Sequence, residues 1–140
     1  MSDMFPAEYH MKIYLDVCCL NRPFDDQSQD RVHMEAEAVA AILRHADRGN
    51  WTWITSEAVL IEIRRMPDEA RKLEVLKLIG GASRIMPLNS EVMNRSQELM
   101  ALGFGTMDAL HVASAERAKV DVFCRDSMKM SPCNSLEMSP

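Results

Sequence analysis

The hydrophobic residues of this chain follow two different spacings, and the change from one to the other separates strands from helices. Residues 11–15 read Met-Lys-Ile-Tyr-Leu, a short β-prone run that ends at Asp16. Comparable short apolar runs occupy residues 51–55, 84–88 and 120–124, and the first and last of these are rich in aromatic or β-branched residues. Such runs predict four β-strands. Because Pro87 has no N–H to donate to a neighbouring strand, the third of them is expected at the edge of the sheet or to end there.

The stretches between these strands carry apolar residues three and four positions apart, the spacing of a helix with one buried face. Residues that commonly cap helices stand at the start of each stretch. They predict helices from Asp30 to Ala46, from Ser56 to Met66, from Asp68 to Ile79, from Asn89 or Ser90 to Leu102 and over 107–118. Strands that alternate with helices predict a three-layer α/β/α fold with a mostly parallel sheet of four or five strands.

Length and composition indicate one globular domain. The chain has 140 residues, of which 47% are hydrophobic and 26% charged, an ordinary globular composition. Residues 1–10 contain acids and a proline but no apolar segment, so we expect an N-terminal extension before a single domain over residues 11–140. The tail after Asp126 is atypical, although residues 134–138 allow a short fifth strand. No apolar run approaches the roughly 20 residues of a membrane span, and we expect a cytoplasmic protein.

The net charge does not decide the partner. It is −5, from 16 basic and 21 acidic residues, whereas nucleic-acid binding proteins usually have a basic excess. This objection weakens if several of the acids converge on a bound divalent cation, which would neutralise them locally. The four cysteines lack the C-x-x-C spacing that is typical of zinc sites.

Four acidic residues stand out by position. Asp16 ends the first strand, Glu62 interrupts the apolar face of its helix, Asp108 lies in the first turn of a nearly apolar helix, and Asp126 follows the fourth strand. Taken singly, each can be explained as a cap, a turn residue or the partner of a nearby cation. In a parallel sheet, however, the ends of strands one and four, and the start of the helix that precedes strand four, lie at the same edge.

Carboxylates gathered at one edge would repel each other strongly unless a cation joined them. Hard oxygen ligands select Mg²⁺ or Mn²⁺, and such a site suits metal-assisted hydrolysis of a phosphodiester. A nucleophilic cysteine is the competing chemistry, but no histidine can be placed beside Cys18 or Cys19. The pattern therefore favours a metal-dependent hydrolase.

The segments that carry these acids resemble PIN-domain ribonucleases, the fold shared by VapC-type toxins of toxin–antitoxin modules. The similar segments are residues 13–16, 56–63 and 107–113, and the run DVCCLNRPFDD at 16–26 looks like one subgroup of stand-alone PIN proteins. The resemblance covers about residues 11–126. It implies strand order 3-2-1-4-5 and a divalent-metal site formed by Asp16, Glu62, Asp108 and a fourth acid, for which Asp126 is the match.

The resemblance also implies a function: a Mg²⁺- or Mn²⁺-dependent endoribonuclease, acting as the toxin of a toxin–antitoxin module, with RNA as substrate, an antitoxin protein as partner and a homodimer as the assembly. Asn21, Arg22 and Arg125 are candidates for contacts with RNA phosphates. His111 has ligand spacing from Asp108 on a helix, but it is better explained as a half-buried histidine with hydrogen-bond partners, because a hard cation has little need of imidazole.

Two alternatives stay open. The segment Cys124-Arg125-Asp126-Ser127 is one residue shorter than the family pattern, which favours a catalytically impaired PIN-like module that acts through protein or RNA binding. A phosphoacceptor receiver domain is the other small α/β fold with an acidic edge. That fold needs an acid at the end of strand three and a lysine at the end of a late strand, and this chain has Leu88 and Arg125 there.

Overall fold

A computed structural model describes residues 10–125 of the chain. It has one parallel sheet of four strands in the order β3-β2-β1-β4. The strands are β1 Lys12–Leu15, β2 Thr52–Ser56, β3 Arg84–Met86 and β4 Val122–Cys124. The helices are α1 Val17–Asn21, α2 Asp30–Asp47, α3 Glu57–Arg64, α4 Glu69–Ile79, α5 Ser90–Ala101 and α6 Thr106–Ala118, with a 3-10 turn at Arg22–Phe24.

This architecture confirms the predicted three-layer α/β/α fold and places β3 at an edge of the described sheet. The predicted N-terminal extension, apart from residue 10, lies outside the described residues, as does the possible fifth strand at 134–138. Within residues 10–125, none of the helices combines the length and the apolar character that are needed to cross a membrane.

Strand β1 is a central strand of the sheet, because it pairs with β2 on one side and with β4 on the other. Leu15 is the register partner of Cys124, and the backbone N–H of Asp16 donates to the carbonyl of Cys124 over 3.2 Å. The ends of the first and fourth strands therefore lie side by side, as expected. This pairing brings Asp16 close to Arg125, the residue that follows β4.

Most predicted helix starts have the expected capping side chains. Ser56, Asp68 and Asn89 each accept a hydrogen bond from the backbone N–H three residues later, at 3.3, 3.1 and 2.9 Å. Each of these bonds satisfies one of the N–H groups that a helix start leaves unpaired. Helix α2 differs slightly: its cap is Gln29, so Asp30 is its first helical residue.

The main core lies around β1 and β2. Ile13, Tyr14 and Leu15 of β1, and Trp53 and Ile54 of β2, are all buried, as expected for central strands of a parallel sheet that is covered on both faces. A second cluster between α5 and α6 is built on small residues of α6, and its buried members are Val92, Leu99, Ala109 and Ala113. Ala109 and Ala113 therefore lie on the face of α6 that packs against α5.

Candidate active site

Asp16 links the end of β1 to the start of α1. Its Oδ1 accepts a hydrogen bond from the backbone N–H of Cys19 over 2.9 Å, so the carboxylate is also the N-cap of α1. The residue is only 5% exposed. Burial raises the pKa of Asp16, while the hydrogen bonds from Cys19 and the nearby side chains of His111 and Arg125 act in the opposite direction. Asp16 is therefore a carboxyl whose charged form lacks full compensation from the surrounding protein.

Glu62 lies in the last turn of α3, and its side chain retains 29% of its exposure. Its Oε1 is 2.7 Å from Nε2 of His111, which lies on α6 and is 4% exposed. This bond joins two helices that are far apart in sequence. It also fixes one oxygen of a carboxylate that is otherwise open to solvent.

His111 is held from its other side by a buried tyrosine. Its Nδ1 lies 2.7 Å from the hydroxyl oxygen of Tyr14, and that hydroxyl lies 2.7 Å from Oγ of Ser56. Tyr14 and Ser56 have no exposed surface. A continuous chain of hydrogen bonds thus runs from the cap of α3 through β1 to α6, and then returns to α3 at Glu62.

The roles of donor and acceptor in this chain follow from the chemistry of the groups. An ionised Glu62 can only accept, so Nε2 of His111 must carry the proton that it donates. With a neutral ring, Nδ1 accepts from the Tyr14 hydroxyl, which in turn accepts from the Ser56 hydroxyl. Ser56 completes the chain by accepting the backbone N–H of Val59. Every member is satisfied, as a buried polar network requires.

Tyr14 shows that Asp16 and Glu62 belong to one electrostatic environment. The pKa of its phenol is raised, first by burial and further by the charges of both carboxylates, whereas its hydrogen bond to Ser56 acts in the opposite direction. Glu62 reaches Tyr14 through His111, and Asp16 lies two residues after Tyr14 at the end of β1. Both acids are therefore neighbours of the same hydrogen-bond chain.

Asp108 lies half-buried in the first turn of α6, three residues before His111, which places the two on the same side of the helix. Asp126 lies outside the described residues. Within residues 10–125, no three His, Cys, Asp or Glu side chains come close enough together to hold a metal ion. In the described structure, His111 links the predicted acids: it bonds Glu62, its charge acts on the pKa of Asp16, and it lies three residues after Asp108 on α6.

Asn21 and Arg22 are bonded within the protein. Arg22 is 5% exposed and donates to Glu35 over 2.6 Å and to Asp25 over 2.7 Å. Asn21 donates to the carbonyl of Val17 and accepts from Arg71 over 3.1 Å. These bonds favour a structural role for both side chains. Arg125 is half-buried and close enough to Asp16 to lower its pKa, so it is the predicted phosphate contact that lies beside the acids.

Sequence reasoning missed Tyr14 and Ser56 as members of the site. The interpretation of His111 as a histidine with hydrogen-bond partners is confirmed, although the ring is more deeply buried than expected. One signal could have found Tyr14: a tyrosine within a fully buried strand needs a partner for its hydroxyl. The short helix α1 was missed as well, because five residues are too few to show a periodic pattern.

Comparison with known proteins identifies the family. The sequence model described as the PIN domain matches residues 13–128. A chain in the crystal structure of FitAcB from Neisseria gonorrhoeae has a TM-score of 0.57 at 16% identity, with 89% of this chain and 91% of that chain covered. A chain of VapBC2 from Rickettsia felis, bound to a DNA fragment from their promoter, has a TM-score of 0.54 at 15% identity, with 84% and 90% covered.

At these identities, the two solved structures show similarity of fold alone. A search of curated proteins found no match. The family model, in contrast, extends over most of the sequence, from within β1 to beyond β4. The resemblance to this family is therefore confirmed over residues 13–128, whereas the subgroup suggested by the run at 16–26 stays a prediction. The chain belongs to the PIN domain family.

Proposed function

We propose that this protein is a divalent-metal-dependent endoribonuclease that hydrolyses RNA phosphodiester bonds and serves as the toxin of a toxin–antitoxin module. The observation that supports the proposal is the hydrogen-bond chain from Tyr14 through His111 to Glu62, which starts two residues before Asp16 on the central strand of a parallel sheet. Open α/β sheets hold their ligands at this edge. Membership of the PIN domain family supports the same chemistry.

The chemistry of the donor atoms suits a hard divalent cation. Asp16, Glu62 and Asp108 offer carboxylate oxygens, which Mg²⁺ and Mn²⁺ prefer, and Asp126 is the proposed fourth ligand. The raised pKa of Asp16 supports this assignment, because a nearby cation would stabilise the charged form that burial disfavours. When bound, such a cation supplies an activated water and stabilises the charge that develops on the phosphate.

The side chains of the protein prepare this site. Helix α1 presents the N–H of Cys19 to Asp16 and so fixes the direction of its carboxylate. His111 fixes Oε1 of Glu62. Arg125, beside Asp16, is the residue that we assign to an RNA phosphate. Asn21 and Arg22 would act on RNA by shaping the loop that follows Asp16, since their polar atoms are bonded to the protein.

The surface favours protein partners. Among residues 10–125, six large hydrophobic side chains are exposed: Met34, Leu73, Ile85, Met93, Met100 and Leu102. Exposed apolar side chains of this size are available for contact with another chain. We therefore include an antitoxin protein and a second copy of this chain among the partners, in a cytoplasmic setting that gives access to RNA. Light scattering after size-exclusion chromatography measures the homodimer directly.

The catalytic proposal is tested with Asp16→Asn, which keeps the shape and the capping ability of the side chain but removes its charge. Wild-type protein should cleave single-stranded RNA in Mn²⁺ and not after chelation, whereas the variant should lose this activity while its circular dichroism spectrum is unchanged. Asp26→Asn, at an exposed carboxylate, is the matched control and should cleave as the wild type does. Cleavage by Asp16→Asn at the wild-type rate contradicts the mechanism.

A catalytically impaired PIN-like module is the second candidate, and the departure at residues 124–127 from the family pattern motivates it. Calorimetry with Mn²⁺ separates the two functions. Saturable binding that Asp16→Asn weakens supports the nuclease. Absence of saturable binding at millimolar Mn²⁺, together with tight binding of a protein or RNA partner, supports the impaired module.

The toxin role has its own test. Induced expression of the wild type should arrest bacterial growth, and Asp16→Asn, produced to the same level, should not. Equal growth of the two cultures would contradict a toxic nuclease.

A further inference from the structure

We infer that His111 is a positioning residue, which holds the carboxylate of Glu62 in the orientation that a divalent cation requires. This inference rests on the proposed function, because it assigns Glu62 a ligand role. It goes beyond that function because it assigns a role in metal binding to His111, which the sequence alone indicates to be a structural histidine. The bond that carries it joins Nε2 of His111 to Oε1 of Glu62 over 2.7 Å.

Glu62 needs such a partner because of where it lies. It is in the last turn of α3, and its side chain keeps 29% of its exposure, so several rotamers would be open to it without a fixed contact. A carboxylate that must be ordered at the moment of binding loses affinity for its ligand through side-chain entropy. The bond to His111 lowers this entropy loss, because it already orders the Glu62 side chain through one of its two carboxylate oxygens before the cation binds.

His111 can hold Glu62 only because the ring itself cannot turn. Its 4% exposure and the bond from Tyr14 to Nδ1 fix the plane of the imidazole. Tyr14 is in turn fixed by Ser56, the residue that caps α3. The chain of hydrogen bonds therefore begins and ends on the same helix. It connects Ser56, at the start of α3, to Glu62, near its end, through Tyr14 of β1 and His111 of α6.

Two substitutions separate positioning from mere packing, because each keeps a different half of the imidazole. In His111→Asn, the amide oxygen lies near the place of Nδ1 and can accept from Tyr14, but the side chain is too short to reach Glu62. In His111→Gln, the amide nitrogen lies near the place of Nε2 and can donate to Glu62, but the contact to Tyr14 is lost. Each variant loses one of two bonds of equal 2.7 Å length.

The first experiment measures the affinity of the full chain for Mn²⁺ by calorimetry. We expect His111→Asn to weaken binding by about 10- to 100-fold, the usual effect of removing a group that orients a ligand, and His111→Gln to stay close to the wild-type value. In a Glu62→Gln background, His111→Asn should have no further effect. His33→Asn, at an exposed histidine, is the control. Wild-type affinity in His111→Asn, or an equal loss in both His111 variants, overturns the inference.

The second experiment needs no metal, so it tests the bond between His111 and Glu62 separately from the proposed function. Long-range proton–nitrogen NMR spectra of the metal-free protein should show His111 in a single tautomer with the proton on Nε2. Glu62→Ala should convert it to a mixture of tautomers. Wild-type protein that binds no Mn²⁺ contradicts the proposed function and the ligand role of Glu62, even if the tautomer is single. A tautomer mixture in wild-type protein that does bind Mn²⁺ overturns the role of His111 alone.

Discussion

Nη1 of Arg71 lies 3.0 Å from Oδ1 of Asp25, and this ion pair ties helix α4 to a segment 46 residues earlier in the sequence. The same guanidinium donates to Oδ1 of Asn21 over 3.1 Å and to the carbonyl of Phe24 over 2.9 Å. One half-buried side chain thus holds the segment from Asn21 to Asp25. That segment follows α1, the helix that Asp16 caps, so its order bears on the candidate active site.

Arg71→Met should lower the free energy of unfolding by about 1–3 kcal/mol, because three acceptors lose a charged donor while the apolar stem is kept. Urea unfolding of the metal-free protein measures the change. Lys72→Met is the matched control on the same helix, since Lys72 pairs with the exposed Glu69, and it should cost no more than about 0.5 kcal/mol. An equal decrease in the free energy of unfolding of the two variants would show that the contacts of Arg71 stabilise the protein no more than an exposed ion pair does.

Arg22→Met should destabilise the protein by about 3 kcal/mol, because it leaves Asp25 and Glu35 without the buried cation that both contact. Unfolding by urea again gives the value, and Arg44→Met, at an exposed position of α2, should change it by less than about 0.5 kcal/mol. If Arg22→Met kept wild-type stability but bound RNA more weakly, Arg22 would have a role in substrate binding and not in stabilising the fold.

Asp16→Asn should make the metal-free protein more stable at neutral pH. The pKa of Asp16 is raised in the folded state, so the folded protein binds more protons than the unfolded chain between the two pKa values. Stability therefore falls as the pH rises through that window and stays reduced above it. The asparagine variant lacks this fall, and thermal unfolding should show a higher Tm for it at pH 7 than for the wild type. A lower Tm would mean that the charge of Asp16 stabilises the fold.

Tyr14 should resist ionisation while the protein stays folded. Burial and the two nearby carboxylates raise its pKa above the ordinary value of about 10. In a Tyr9→Phe variant, Tyr14 is the sole tyrosine, so the absorbance of phenolate reports on it alone. Phenolate should form only together with alkaline unfolding, followed by circular dichroism. Its formation near pH 10 in a folded protein would contradict the buried hydrogen-bond chain.

Local signals predicted most of the secondary structure, because caps and periodicity act within a few residues. Ser56, Asp68 and Asn89 cap their helices as expected, and the run before Asp16 forms the central strand β1. The sequence did not predict helix α1, because its residues are almost all buried. A short helix that is buried on every side has no polar face to reveal its period.

The acids of the candidate site stay a prediction. The sequence points to Asp16, Glu62 and Asp108 because a charge at the end of a strand, or on the apolar side of a helix, is an exception to the surrounding pattern. The sequence could not show that Arg22 is bonded to Glu35, since an arginine in a polar loop is equally consistent with a free cation. It also could not show which acids come together, because that depends on how the helices pack against the sheet.

The sequence by itself therefore determined the order of strands and helices and the family, and it predicted which acids form the candidate site, since these depend on local patterns and on motifs. Only the tertiary structure decided what holds those acids. Tyr14 and His111 are 97 residues apart and His111 and Glu62 are 49 apart, and no local preference links such positions. Their hydrogen bonds exist because β1, α3 and α6 pack around one buried point, where each polar group had to find a partner or leave the core.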